Sequence, residues 1–355
     1  MTGHRPLRVA IIAPPFYEVP PSGYGGTELI CGLLAEHLVR RGHDVVVVGA
    51  GRRRVRAQFV ATFSEPQPEG GEAATRIEMM HAARAAAVID DLELDLVHDH
   101  SRYGSLMAAG RSIPTVVTVH SAVAGPDSAT ADLESVQRRA FLVAISAAQR
   151  RAAPVLDWVG TVHNGIDVER YRFRPDKDGF VLYLGRISEH KGVHLAVVAA
   201  RTAGRRLVIA GSWTTPTERD YFDTQIRPQL GGGVDWVGEV GFERKLDLLG
   251  RAACLLFPAQ WEEPFGLVLV EAMACGTPVV ALRAGAVPEL VADGVTGIIC
   301  DGPTQLPSAI ARAMALDARR CRAHIATKFD AARMALEYET IYRRLLAPSQ
   351  PEHGA

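Results

Sequence analysis

Residues 261–282 read WEEPFGLVLVEAMACGTPVVAL and place a loop, a helix and a strand in immediate succession. Pro264 falls where a first helical turn tolerates proline, and Gly276 with Pro278 stops the helix before the β-branched pair Val279 and Val280. On this reading the first free N–H groups, on Phe265, Gly266 and Leu267, point out of the N-terminus with the positive end of the helix dipole, where an anion can sit. Two carboxylates frame the helix, Glu263 before it and Glu271 within it. Either would repel a phosphate, so both read as acceptors for neutral hydroxyls. Because helical side chains lean toward the N-terminus, Glu271 reaches back over the anion site and suits a vicinal diol such as ribose. The alternative is an amphipathic helix with exposed acids.

Working outward, short apolar runs alternate with helical periodicity on both sides of this stretch. In the second half they are Phe180 to Gly185, Leu207 to Gly211, Val234 to Gly238, Cys254 to Ala259, Pro278 to Leu282 and Gly297 to Cys300. In the first half they are Arg8 to Ala13, Asp44 to Gly49, Asp95 to His98, Thr115 to Val119 and Phe141 to Ala144. Such alternation predicts two doubly wound parallel sheets with right-handed crossovers. Periodicity fails from Asp167 to Gly179, which marks a domain boundary. We therefore expect a first domain over 1–170 and a second over 171–329. A last helix, Asp330 to Leu346, carries Met334, Tyr338, Ile341, Tyr342 and Leu345 along one face.

The first crossover contains GYGGTE, a loop that brings backbone close to a ligand at the C-terminal edge of a parallel sheet. It is not a dinucleotide fingerprint. Glu28 stands where the third glycine would be, and Arg52, Arg53 and Arg54 follow the second strand in place of an acid. With Arg56 these arginines form a basic cluster, read as a solvated loop or as a contact for acidic lipid or an anionic acceptor. His98-Asp99-His100 resembles a metal pair, but no third ligand has convincing spacing, so these residues are expected to line a cleft. Asp176-Lys177-Asp178 falls in a turn ahead of its strand and reads as linker. His120 ends its strand and is expected to project into the cleft. In GRISEHKG, Arg186 stands at a strand edge and Lys191 at the start of the next helix, two cations able to neutralise a diphosphate without a metal.

The Glu263-x7-Glu271 stretch closely resembles the motif of retaining glycosyltransferases of family four, which have the GT-B fold: α/β, with two Rossmann-like domains facing a central cleft. The resemblance covers nearly the whole chain. It implies that Glu263 touches a donor sugar and Glu271 the nucleotide ribose, that Gly25 and Gly26 face the donor's diphosphate, and that His120 lies beside the reacting carbon. It also implies that Arg186 and Lys191 hold the diphosphate and that the last helix, 330–347, crosses back to the first domain. Val240 is a weaker candidate for the base. The catalytic set is then His120, Arg186, Lys191 and Glu263, and the donor set adds Gly25, Gly26, Val240, Phe265, Gly266, Leu267 and Glu271. The expected activity is metal-independent transfer of a hexose from a nucleoside diphosphate sugar, UDP-glucose first and GDP-mannose second, to a hydroxyl of a small molecule, glycan or lipid-linked acceptor. The alternatives are an epimerase or phosphorylase on the same fold, or a binding subunit without turnover.

Composition sets outer limits. The chain has 355 residues, 48% apolar and 22% charged, enough for two globular domains. A formal net charge of -1 gives no global field for nucleic acid, so no nucleic-acid partner is expected. The five cysteines are scattered and read as reduced, buried thiols. No apolar run is long enough to span a membrane, which points to the cytoplasm and leaves peripheral membrane contact open. The tail Pro348 to Ala355 is expected to fray.

Overall fold

The computed structural model describes residues 5–70, 72–123 and 130–347; the tail from Pro348 lies outside them. The first sheet contains β1 (Arg8–Ile12), β2 (Asp44–Ala50), β3 (Gln58–Phe63), β4 (Leu96–Asp99), β5 (Thr115–Val119), β6 (Phe141–Ala144) and β7 (Trp158–Thr161). Their order is β3-β2-β1-β4-β5-β6-β7. The second contains β8 (Val181–Leu184), β9 (Leu207–Ala210), β10 (Val234–Trp236), β11 (Cys254–Phe257), β12 (Val279–Leu282) and β13 (Gly297–Cys300), ordered β10-β9-β8-β11-β12-β13. Every pairing between these strands is parallel.

The cause is visible in β2. Val45 to Val48 form an unbroken β-branched run with every side chain buried, which only a sheet covered by helices on both faces can accommodate. Helix Gly26–Arg40 covers one side, with Ile30, Leu34 and Leu38 fully buried. Helix Ala331–Leu346 lies against it and places Met334, Tyr338, Ile341 and Tyr342 in the same core as Ile11 and Leu34. The end of the chain therefore completes the first sheet's core. Burying two tyrosines this way demands partners for their hydroxyls, and both have them, as described below.

Two strands of the first sheet carry no clear signal in the sequence. Gln58–Phe63 is an edge strand of mixed exposure, and Trp158–Thr161 is half-buried throughout. The arginine loop before β3 is also less open than its composition suggests. Arg54 pairs with Glu18 at 2.6 Å and Arg56 with Glu36 at 2.6 Å, so two of its charges are answered within the chain. All five cysteines are buried and free. No helix among the described residues is long and apolar enough to cross a membrane.

In each sheet the strand order reverses once beside the first strand, between β1 and β4 and between β8 and β11. Crevices open at such switch points beyond the carboxyl ends of the strands. Here the two crevices face each other.

Candidate active site

A cavity of about 450 Å³ lies between the two switch points. From the first sheet's side it receives Gly25, which ends the loop after β1, Gly26, which opens helix Gly26–Arg40, and His120 directly after β5. From the second it receives Arg186 after β8, Lys191, and Val240 after β10. Glu263, Phe265, Gly266, Leu267 and Glu271 line the same cavity. The two halves touch at its floor: a Cβ on Gly26 would stand 3.1 Å from Leu267 Cδ1.

The motif helix starts later than its proline suggests. It spans Leu267–Ala274, with Gly266 at the N-cap in a left-handed conformation, φ 89°. A residue in that region cannot continue a helix backwards, so Pro264 and Phe265 belong to the preceding loop. The outward N–H groups are therefore those at and just after Leu267, and Phe265 contributes a buried ring instead. Lys191 is displaced too. It ends a short 3-10 turn, Glu189–Lys191, ahead of helix Val193–Thr202.

Neither motif carboxylate is isolated. Glu263 is ion-paired with Lys191 and accepts the indole N–H of Trp261 at 2.9 Å, while Lys191 Nζ also lies 4.7 Å from the Trp261 ring centre. Glu271 is 4% exposed and accepts Lys245 Nζ at 2.6 Å and the Tyr171 hydroxyl at 2.9 Å. A carboxylate this deep requires such partners. Lys245 and Tyr171 escaped sequence reasoning because they lie far from the motif in the chain. Arg186 stands 3.2 Å from Glu218, and its carbonyl accepts the Tyr183 hydroxyl at 2.8 Å. Gly285 was missed as well. It has φ 51°, a Cβ there would overlap the Glu263 backbone, and Ala286 N donates to Glu263 O at 3.0 Å, so this turn holds the first motif carboxylate in place.

His120 is half-buried, and burial pushes its imidazole down to about 4, so the ring is neutral near pH 7. Its Nε2 lies 2.8 Å from His100 Nδ1. His98 is fully enclosed, between the Tyr342 hydroxyl at 2.6 Å and Thr118 Oγ1 at 2.7 Å, and Thr118 in turn meets the Tyr338 hydroxyl at 2.9 Å. His98 and His100 are thus behind the cavity wall rather than on it. Among the described residues no three His, Cys, Asp or Glu side chains converge as a metal site. Asp178 pairs with Arg251 at 2.6 Å, and Lys177 caps the carbonyl of Gly250 at 2.9 Å, as linker residues.

Comparison with known proteins agrees with this geometry. Residues 168–327 match the family model described as glycosyl transferases group 1, and residues 24–170 match glycosyltransferase family 4. The α-maltose-1-phosphate synthase of Mycolicibacterium smegmatis is 32% identical over 341 residues, 82% of this chain and 84% of that protein. The glycogen synthase of Mycobacterium tuberculosis is 28% identical over 95% of this chain and 94% of its own length. The crystal structure of AviGT4, a glycosyltransferase involved in avilamycin A biosynthesis, is 28% identical, with a TM-score of 0.75 over 97% of this chain and 99% of that one. Two facing parallel-sheet halves, a cavity at their switch points and this likeness along most of the chain lead to one assignment: the protein belongs to the group 1, family 4 glycosyltransferases and has their GT-B fold.

Proposed function

We propose that the protein is a metal-independent, retaining hexosyltransferase that takes its sugar from a nucleoside diphosphate, UDP-glucose first and GDP-mannose second. The observation that carries this reading is the convergence of Arg186, Lys191 and the start of helix Leu267–Ala274 on one cavity. Two cations and a helix N-terminus provide the charge that a diphosphate needs. The two curated relatives are named for products built of glucose, which favours that sugar. Arg186, Lys191, Glu263 and Glu271 are the donor-binding residues, with the sugar toward Glu263 and the ribose toward Glu271. Val240 borders the base. Five buried, free cysteines suit a cytoplasmic enzyme.

Three carboxylates line the cavity among the described residues, and each is already engaged: Glu239 with Ser212 at 2.7 Å, Glu263 with Lys191, and Glu271 with Lys245. None stands free as a nucleophile. In the reaction we propose, the bond from the sugar's anomeric carbon to the phosphate oxygen breaks and its electron pair stays on the diphosphate. The acceptor oxygen bonds to the same face of that carbon, and its proton passes to the departing phosphate. Arg186, Lys191 and the helix mouth then stabilise charge that grows on the leaving group.

A thermal-shift screen of nucleotide sugars, followed by transfer assays with mass analysis of the products, tests the donor and the reaction class. Turnover is expected to survive EDTA. Loss of activity that magnesium or manganese restores refutes metal independence, and a product with inverted anomeric configuration refutes retention.

A further inference from the structure

His100 follows β4 directly and is 3% exposed. Its Nδ1 shares one hydrogen bond with His120 Nε2 at 2.8 Å, whereas its Nε2 is buried without any hydrogen-bond partner. Burial holds both rings below the usual imidazole range, so the two share that bond as neutral groups. Only two arrangements are open. If His120 donates from Nε2, then His100 Nδ1 accepts, and His100 must carry its own proton on Nε2, where a buried N–H goes unpaired. If His100 donates from Nδ1, its Nε2 is left as a bare lone pair. An orphaned buried donor is rarer than an under-used acceptor, and the second arrangement avoids it. His120 then holds its proton on Nδ1, the ring atom that makes no hydrogen bond among the described residues.

The surroundings hold His100 in this role. His98 is pinned at both ring nitrogens by Tyr342 and Thr118, and its ring centre lies 4.0 Å from that of His100. The wall behind His120 is thus a stack of fixed rings tied to helix Ala331–Leu346.

We propose that His100 is a positioning residue that fixes His120 in the Nδ1–H tautomer, so that His120 offers the cavity a hydrogen-bond donor for an oxygen of the bound sugar and cannot serve there as a base. This rests on the reading of the cavity as the sugar-transfer site. Sequence reasoning placed His100 in the same cleft without a role.

Two-bond proton–nitrogen NMR correlations on protein labelled with 15N-histidine report the tautomer of each ring. The His120 signals are assigned by their loss in His120→Gln. Wild-type His120 is expected in the Nδ1–H form. In His100→Leu it should revert to Nε2–H, with kcat for transfer falling on the order of tenfold to a hundredfold and donor KM changing less than about twofold. His100→Asn, whose amide N–H can stand where the imidazole Nδ1–H stood, should restore the tautomer and most of the rate. A wild-type His120 in the Nε2–H form overturns the inference, as does a His100→Leu enzyme with unchanged tautomer. If His100→Leu does not fold, the wild-type and His100→Asn spectra decide. The spectra need no turnover, so a chain that transferred no sugar would refute the proposed activity and leave the tautomer assignment standing or falling on its own.

Discussion

Lys245 Nζ lies 2.6 Å from Glu271 Oε1, and the two side chains are 15% and 5% exposed. The second motif carboxylate is therefore held by a cation from helix Phe242–Arg251, outside the motif itself. Removing the lysine alone leaves a buried charge with only Tyr171 to answer it. We predict that Lys245→Met costs on the order of 3 kcal/mol in urea unfolding. Adding Glu271→Leu should return most of that loss, because the stranded charge goes with it. Equal stability of Lys245→Met and wild type would show that the pair makes no net contribution.

In the proposed reaction Arg186 and Lys191 would face a partner that grows more negative as the glycosidic bond breaks, so their replacement should lower kcat more than it raises donor KM. Arg186→Ala is expected to lose on the order of a hundredfold in turnover, and Lys191→Ala a comparable amount. Lys191→Ala also frees Glu263, which keeps only the Trp261 N–H. The double variant should fall short of the product of the two losses, since both cations serve one diphosphate. Steady-state kinetics with circular dichroism decides; a large KM rise with kcat intact assigns both residues to uniform donor binding.

Glu263 and Glu271 should separate by ligand. Glu271→Ala is expected to weaken binding of the free nucleoside diphosphate, whereas Glu263→Ala should leave it nearly unchanged and impair use of the complete donor. Calorimetry with the nucleotide alone distinguishes them, and equal losses would contradict the placement of sugar and ribose along the helix.

Glu289, after β12, accepts the backbone N–H of Ala147 at 2.8 Å and of Ala148 at 2.6 Å, and meets His163 Nε2 at 3.0 Å. This one side chain ties the second half of the molecule to the first turn of helix Ala147–Ala152, which follows β6 in the first. Burial raises its pKa, but hydrogen bonds from His163 and the two amides outweigh that and hold it below the ordinary carboxylate value. Glu289→Ala should leave both domains folded but widen the cleft. Small-angle scattering is expected to show a larger radius of gyration, and an unchanged radius would show that other contacts suffice.

Stability should peak near pH 6.5. Burial pushes His81 and His120 down to about 4 and takes His98 and His100 well below their usual range. The unfolded chain binds protons at these four sites from about pH 6.5 downward, so the stability they contribute is complete above that value and lost as pH falls. Glu28 and Glu78 have the opposite sign: burial raises them to about 8 and about 7 from an ordinary 4.5. Their contribution is complete below 4.5 and lost as pH rises through the neutral range. Between those limits the histidines outweigh the buried carboxyls, since burial also lowers His37, His43, His190 and His324, so acid unfolding should take up protons net. Denaturation midpoints across pH 5 to 8 check this; a flat profile contradicts it.

Much of the fold was legible in the sequence because a parallel sheet needs unbroken apolar strands, and eleven of them are conspicuous in the chain. Gln58–Phe63 was not, since an edge strand covers only part of its surface and tolerates Gln58 and Ala61. The motif helix began at Leu267 rather than with Pro264 because backbone handedness at Gly266 depends on the turn around Glu263, which no local pattern encodes. The residues drawn together at the cavity were those at strand ends and in the Glu263 to Glu271 stretch. Lys245 lines the cavity and Tyr171 stands behind it, and both reach Glu271 through contacts between residues distant in the chain that carried no local signature; His100 stood out in the sequence, but its place behind His120 did not.

The last helix has a consequence for the order in which the molecule is made. Tyr338 and Tyr342 are fully buried in the core begun by Ile11 and Leu34, and Tyr342 holds His98. Synthesis runs from the amino end, so the first sheet leaves the ribosome with that groove open and stays incomplete while the entire second half is made. A chain cut short before residue 331 carries every cavity residue discussed above and still lacks the rings that brace the wall behind His120. Emergence of residues 331–346 is thus the step that closes the first core, and a product terminated before them exposes an apolar groove to chaperones and proteases instead of passing as a working enzyme.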